Sequence, residues 1–231
     1  MPQQSLHFPS RDRIFYTGVA VVFAFAVLIG FSRTYYLKGF FGTPHLSPLA
    51  HLHGALFTLW TFFFVFQTAL VSAGRTDLHR RMGKAGAVLA SAIVALGAGM
   101  SLYSVRAGYS SRRPNMASLL VNALIDLVLF CLFFVAGLFF RRKKEIHKRL
   151  MLLAMVSLII PAFARLPIPD ATIGWVILAF SLAGAVYDAI FLRQVHLTNV
   201  VGVLLINVAT PLRFVIADAR VWQKFAEWVG R

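Results

Sequence analysis

The chain has 231 residues, 59% of them hydrophobic and 13% charged, with 23 Lys and Arg against 8 Asp and Glu and a formal net charge of +15. A soluble domain carries about 25% charged residues, so the composition excludes an ordinary water-soluble globule, and the single cysteine, Cys131, excludes a disulfide framework. The cations cluster in short turns between apolar runs with no basic-aromatic module for nucleic acid, so their expected partners are anionic lipid head groups.

Crossing a hydrocarbon core as helix takes about twenty apolar residues. Runs of that length recur along the whole chain, uninterrupted by strand-length turn signals. They predict an all-α polytopic membrane helix bundle, with seven transmembrane helices plus a C-terminal interfacial helix. Residues 1–13 form a polar tail. The first apolar run ends in LIGFSRTYY, without a small-residue cleavage site, and reads as a retained span rather than a signal peptide. The spans are expected at 14–36, 48–73, 83–106, 118–140, 150–166, 172–192 and 199–218, as one domain over 14–218. Ser47 and Pro48 give an N-cap followed by proline at the first helical position. Asp77 and Asp170 are candidate caps of the third and sixth spans, and Gly74 and Gly108 close the second and third. Pro161 predicts a kink or tilt in the short fifth span. In the tail 219–231, Trp222, Phe225, Trp228 and Val229 recur at helical spacing, as in a helix lying in the membrane interface.

Thirteen of the 23 basic residues fall on the side of the N-terminus, six of them in RRKKEIHKR (141–149). The positive-inside rule therefore places the N-terminus in the cytoplasm and, with seven spans, the C-terminus in the periplasm. Two of the basic turns resemble each other. LHRRM (78–82) and IHKRL (146–150) share a histidine, a base, an arginine and flanking apolar residues, 68 positions apart, and His196 occupies the turn before the seventh span. The pattern suggests three helical hairpins, spans two–three, four–five and six–seven, repeated in parallel about an axis along the membrane normal. That axis would gather His79, His147 and His196 around a common centre, a set able to bind a metal ion. The bland alternative is interfacial decoration.

A second group of polar residues is expected at the other face. In the second span His51, Gly54, Thr58, Thr61, Thr68 and Ser72 form a small polar stripe suited to close helix packing. His53, Trp60 and Gln67 recur every seven residues beside it. The fourth span carries Asn122 and Asp126 one turn apart, with Asp126 roughly 10 Å inside the span. An intramembrane carboxylate faces a cavity or a partner, and Arg165 and Arg213 reach the same half of the bundle. One pocket is thus expected to collect His53, His51, Asn122, Asp126, Arg165 and Arg213, with Trp60 and Gln67 lining it. In it His53 would be a metal or haem ligand, His51 its support, Asp126 the proton-handling group and the arginines anchors for an anionic group. The alternative is a structural Asp126–Arg pair. The HLH spacing sets the two rings about 200° apart on a regular helix, so they are not expected to share one ion.

The segments HLHGALFTLW, GRTDLHRRMGKAG and HKRLMLLA, each at a span boundary, resemble those of a group of small bacterial polytopic membrane proteins, across approximately 33–165. The resemblance implies a shared fold and carries no activity. In architecture alone the bundle is similar to cytochrome b561-type proteins, which hold haem b between paired histidines on facing helices, and such pairs are incomplete in this sequence. It is similar too to the metal-dependent hydrolases of the adiponectin-receptor and alkaline-ceramidase type, whose clustered histidines in the last span are missing here, where His196 stands alone. The leading expectation is a protein of the bacterial cytoplasmic membrane that binds a metal ion or b-type haem, with a redox role and a quinone or membrane-complex partner. The alternatives are a non-enzymatic transporter or accessory subunit, and a zinc-dependent hydrolase of lipid-like substrates.

Overall fold

The computed structural model describes residues 10–107 and 116–231, so His7 and Gly108 lie outside the described residues. Eight α-helices follow one another: α1 Ser10–Gly30, α2 Pro48–Ser72, α3 Thr76–Arg106, α4 Met116–Phe139, α5 Lys144–Phe163, α6 Asp170–Tyr187, α7 Leu197–Asp218 and α8 Arg220–Gly230. Short π-helical turns extend α1 over Ser32–Tyr36 and α6 over Asp188–Leu192. Seven of these helices are long and apolar enough to cross a membrane, and the described residues contain no strand. The chain is an all-α membrane helix bundle.

Local signals explain several boundaries. Ser47 caps α2 by accepting from the Ala50 N–H at 3.2 Å, with Pro48 at the first position. Gly74 turns the chain into α3 with a φ of +75°, where a side chain would be strained. Other boundaries differ from expectation. The third and fifth helices start at Thr76 and Lys144, six or seven residues before the apolar runs do, so LHRRM and IHKRL belong to helix and not to turns. Asp77 sits in the first turn of α3, after an Arg75 N-cap, and pairs loosely with Arg75 at 3.8 Å; the N-cap of α6 is Pro169.

Each of α1 to α5 packs on the next and α5 returns to α1, closing a ring. At the return, Gly30 of α1 lies so close to the Ala162 backbone that any Cβ would collide with it. Part of the small polar stripe of α2 packs on α1 and its extension. Gly54 packs on the Tyr35 ring, Thr58 bonds Tyr36 Oη at 2.7 Å, and Ser72 bonds Thr17 at 2.9 Å. Trp60, Ile93, Phe130, Phe134, Met155 and Val156 form the core. Outside the ring, α6 and α7 pack on α5 and on each other, and α7 also packs on α4. Helix α8 covers the ends of α3 and α4, where Trp222 Nε1 donates to the Ala117 carbonyl at 2.8 Å and Ala226 and Val229 are buried. Phe225 and Trp228 face outward instead of sharing the buried side.

One end of the bundle, here the basic end, carries the N-terminus of α1 and the turns before α3, α5 and α7. It is tied by ion pairs. Arg149 of α5, fully buried, meets Asp188 of the α6 extension through two bonds, Nε to Oδ2 at 2.9 Å and Nη2 to Oδ1 at 2.5 Å. Its third nitrogen donates to Glu145 Oε2 at 2.7 Å. Asp188 also accepts from the His196 N–H at 3.1 Å and from Asn199 Nδ2 at 2.8 Å. Beside this, Lys148 pairs with both Asp12 and Glu145 at 2.6 Å, and Tyr187 Oη donates to Asp12. Four helices, α1, α5, α6 and α7, are thereby joined.

A buried charge left without its partner destabilises by about 3–5 kcal/mol. Asp188→Asn is therefore expected to lower unfolding stability in detergent by about that amount, because Arg149 keeps its charge inside the bundle. The double substitution Arg149→Met with Asp188→Leu should recover most of the loss, and denaturant unfolding of the three proteins measures it.

Candidate functional site

The site is built from the first turns of two helices. His79 is the fourth residue of α3 and His147 the fourth of α5. Each follows an apolar residue and precedes two bases, so the resemblance between LHRRM and IHKRL is also an equivalence of helical position. The two rings meet inside the basic end, with centroids 6.2 Å apart and planes at 75°. Each leans on a backbone carbonyl of the preceding helix. His147 Nδ1 lies 2.8 Å from the Gly137 oxygen of α4 and must donate to it, since a carbonyl only accepts. This leaves Nε2 with its lone pair and no partner among the described residues. The His79 ring lies by the Gln67 carbonyl of α2, and its buried Nδ1 has no protein partner.

Gln67 belongs to this same level. Its side chain is buried, and neither Nε2 nor Oε1 finds a protein partner. Sequence reasoning placed it on the stripe with His53 and Trp60 but not beside His79, because that neighbour comes from another helix. The third histidine of the expected trio stays away. His196 is the N-cap of α7, where its Nδ1 accepts from the Thr198 N–H at 3.1 Å and its own N–H binds Asp188. Its position in the chain, outside the helix instead of in the first turn, is what separates it from His79 and His147.

At the opposite end the expected pocket divides. Asp126 of α4 is paired with Arg213 of α7, Nη2 to Oδ1 at 2.6 Å, both buried. Asn122 lies one turn away and is half-buried. This pair joins α4 to α7. His53 remains with Arg165, which lies within electrostatic reach of its ring. Arg165 itself rests on the Phe31 ring at 4.3 Å and donates to the Pro161 carbonyl at 2.8 Å. The His53 ring stacks on Phe57, and its Nδ1 is buried without a protein partner. His51 points outward, where its carbonyl accepts from Tyr35 Oη at 3.1 Å. Trp60 sits midway down α2, packed edge-on against Phe130 and Phe134.

A bare zinc ion takes three or four protein ligands. Two imidazoles fall short, and among the described residues no group of three or more His, Cys, Asp or Glu could hold a metal ion. Haem iron asks the protein only for its axial ligands. Two imidazoles on opposite sides of one metal, each bonded at about 2 Å, place their ring centres roughly 6 Å apart. The His79–His147 separation matches that spacing. The Nδ1–H bond of His147 to a carbonyl is the support that fixes the tautomer of a ligating histidine. The donor set thus fits haem better than a bare ion.

Burial, and next the charge of Arg149, holds the His196 imidazole below its ordinary value. As pH falls through about 6.5 the unfolded chain binds this proton before the folded one does, so stability is expected to drop there. His196→Asn, which caps α7 without titrating, should remove that part of the drop in unfolding curves taken between neutral and mildly acidic pH. Comparison with protein-family models, curated proteins and solved structures finds no match to this chain, so the site is read from its own geometry.

Proposed function

We propose that this is a membrane-embedded b-type haem protein with a redox or electron-transfer role, in which His79 and His147 would hold the haem. The observation that carries the reading is the pair itself: two histidines on different helices, at the fourth position of each, facing at 6.2 Å with one ring already anchored to a carbonyl. When bound, the haem supplies a one-electron couple. The chain's own residues hold the two rings in place through the Gln67 and Gly137 carbonyls. Gln67, with donor and acceptor both unspent, faces the same level and can meet a polar edge of the group.

The same reading places the basic end in the cytoplasm of a bacterium, by the positive-inside rule. Arg80, Arg81, Arg141 and Arg142 are exposed there, in position for anionic lipid head groups. A haem near that end would exchange electrons with a quinone or a membrane-complex partner.

The full chain, purified in mild detergent from haem-supplied cells, is expected to show a Soret band and the spectrum of six-coordinate low-spin haem. His79→Ala or His147→Ala should abolish this spectrum, and His53→Ala should keep it. A preparation that stays colourless after haem is added back, or one that loses its colour with His53→Ala but not with His147→Ala, would overturn the assignment.

A further inference from the structure

The buried polar atoms without a protein partner are not scattered. Nine such side-chain atoms occur among the described residues, and five of them belong to His53, Trp60, Gln67 and His79. The first three are seven residues apart on α2. Seven residues fall about 20° short of two full turns, so the three side chains stand nearly in line. At 1.5 Å per residue the line from His53 to Gln67 is about 21 Å long, and the hydrocarbon core is about 30 Å thick. At its lower end Gln67 adjoins His79, and His79 faces His147.

Packing alone does not account for this line. The neighbouring stripe of α2 has its hydroxyls and its glycine engaged, Gly54, Thr58 and Ser72 by α1 and its extension and Thr61 and Thr68 by carbonyls of their own helix. Trp60 and Gln67 are each more than nine-tenths buried, yet the indole N–H and both amide atoms find no protein acceptor or donor. Buried polar groups in native proteins are met by protein or by ordered water, and within a membrane the demand is stricter still. Three residues in register, each with an unmet group, ask for a small hydrogen-bonding partner at each of their levels. Water meets that demand. It can accept from the Trp60 indole, donate to His53 Nδ1, and do both at Gln67.

We propose that this face of α2 lines a file of ordered waters through the bundle, from His53 and Arg165 at one end to the His79–His147 pair at the other. The file brings water from the opposite end to the foot of that pair, through the protein and not past the ion pairs of the basic end. Trp60, between Phe130 and Phe134, is its narrow midpoint. The proposal is independent of what the pair binds.

The experiment follows the Trp60 indole hydrogen in the full chain, in lipid nanodiscs transferred to deuterated water. Indole N–H resonances of the labelled protein are recorded, and Trp60→Phe assigns the signal. The expected result is exchange within minutes, slowed at least tenfold when His53→Leu and Gln67→Leu together replace the polar groups on either side. Both substitutions exchange an unpaired group for an apolar one of similar volume, so the fold is expected to persist, and a cooperative unfolding curve checks it. A wild-type indole protected for hours overturns the proposal whatever the variant does. So does exchange at the same rate in the folded double variant.

Discussion

The bundle depends on where it puts Arg149. A guanidinium with no exposed surface is tolerable only when its donors are met, and Asp188 meets two of them while Glu145 meets a third. This requirement draws the second half of RRKKEIHKR into the helix and under the extension of α6. His147 lies two residues before Arg149, so the same commitment carries it inside the basic end, opposite His79. Asp188 in turn holds the start of α7 through His196 and Asn199. One ion pair therefore sets the entry of α5, the placing of one histidine at the site and the exclusion of another.

The division of labour among the eight acidic residues follows from the same constraint. Asp12, Asp126, Glu145 and Asp188 each hold a base. Asp126, which in sequence has the look of a proton-handling group, faces Arg213 and ties α7 to α4. A carboxylate paired in this way ties two helices of an apolar bundle together. Imidazole, amide and indole atoms without a protein partner gather instead along α2 and at the start of α3.

Much of this was legible in the chain. Seven spans follow from apolar length alone, and the cap at Ser47, the turn at Gly74 and the heptad line of His53, Trp60 and Gln67 follow from local chemistry. The resemblance of LHRRM to IHKRL pointed to histidines meeting on a common axis, and two of the three do meet. What was not legible is non-local. Lys148 and Asp12 are 136 positions apart and Arg149 and Asp188 are 39 apart, and nothing in either segment announces the other. Without those pairings a charged segment between two apolar runs reads as a solvated turn, and the starts of α3 and α5 are set too late. The lone Asp188 within an apolar run was the available signal, since such a residue needs a buried base.

The central claim is that His79 and His147 share one iron. Electron paramagnetic resonance of the oxidised, purified full chain tests it most directly, because the signal reports the axial ligands and the angle between their planes. With two imidazoles at a steep angle, as the 75° between the rings implies, a strongly anisotropic low-spin ferric signal is predicted, and His147→Ala should convert or remove it. A wild-type spectrum that shows only high-spin ferric haem, or no haem iron at all, would contradict the account.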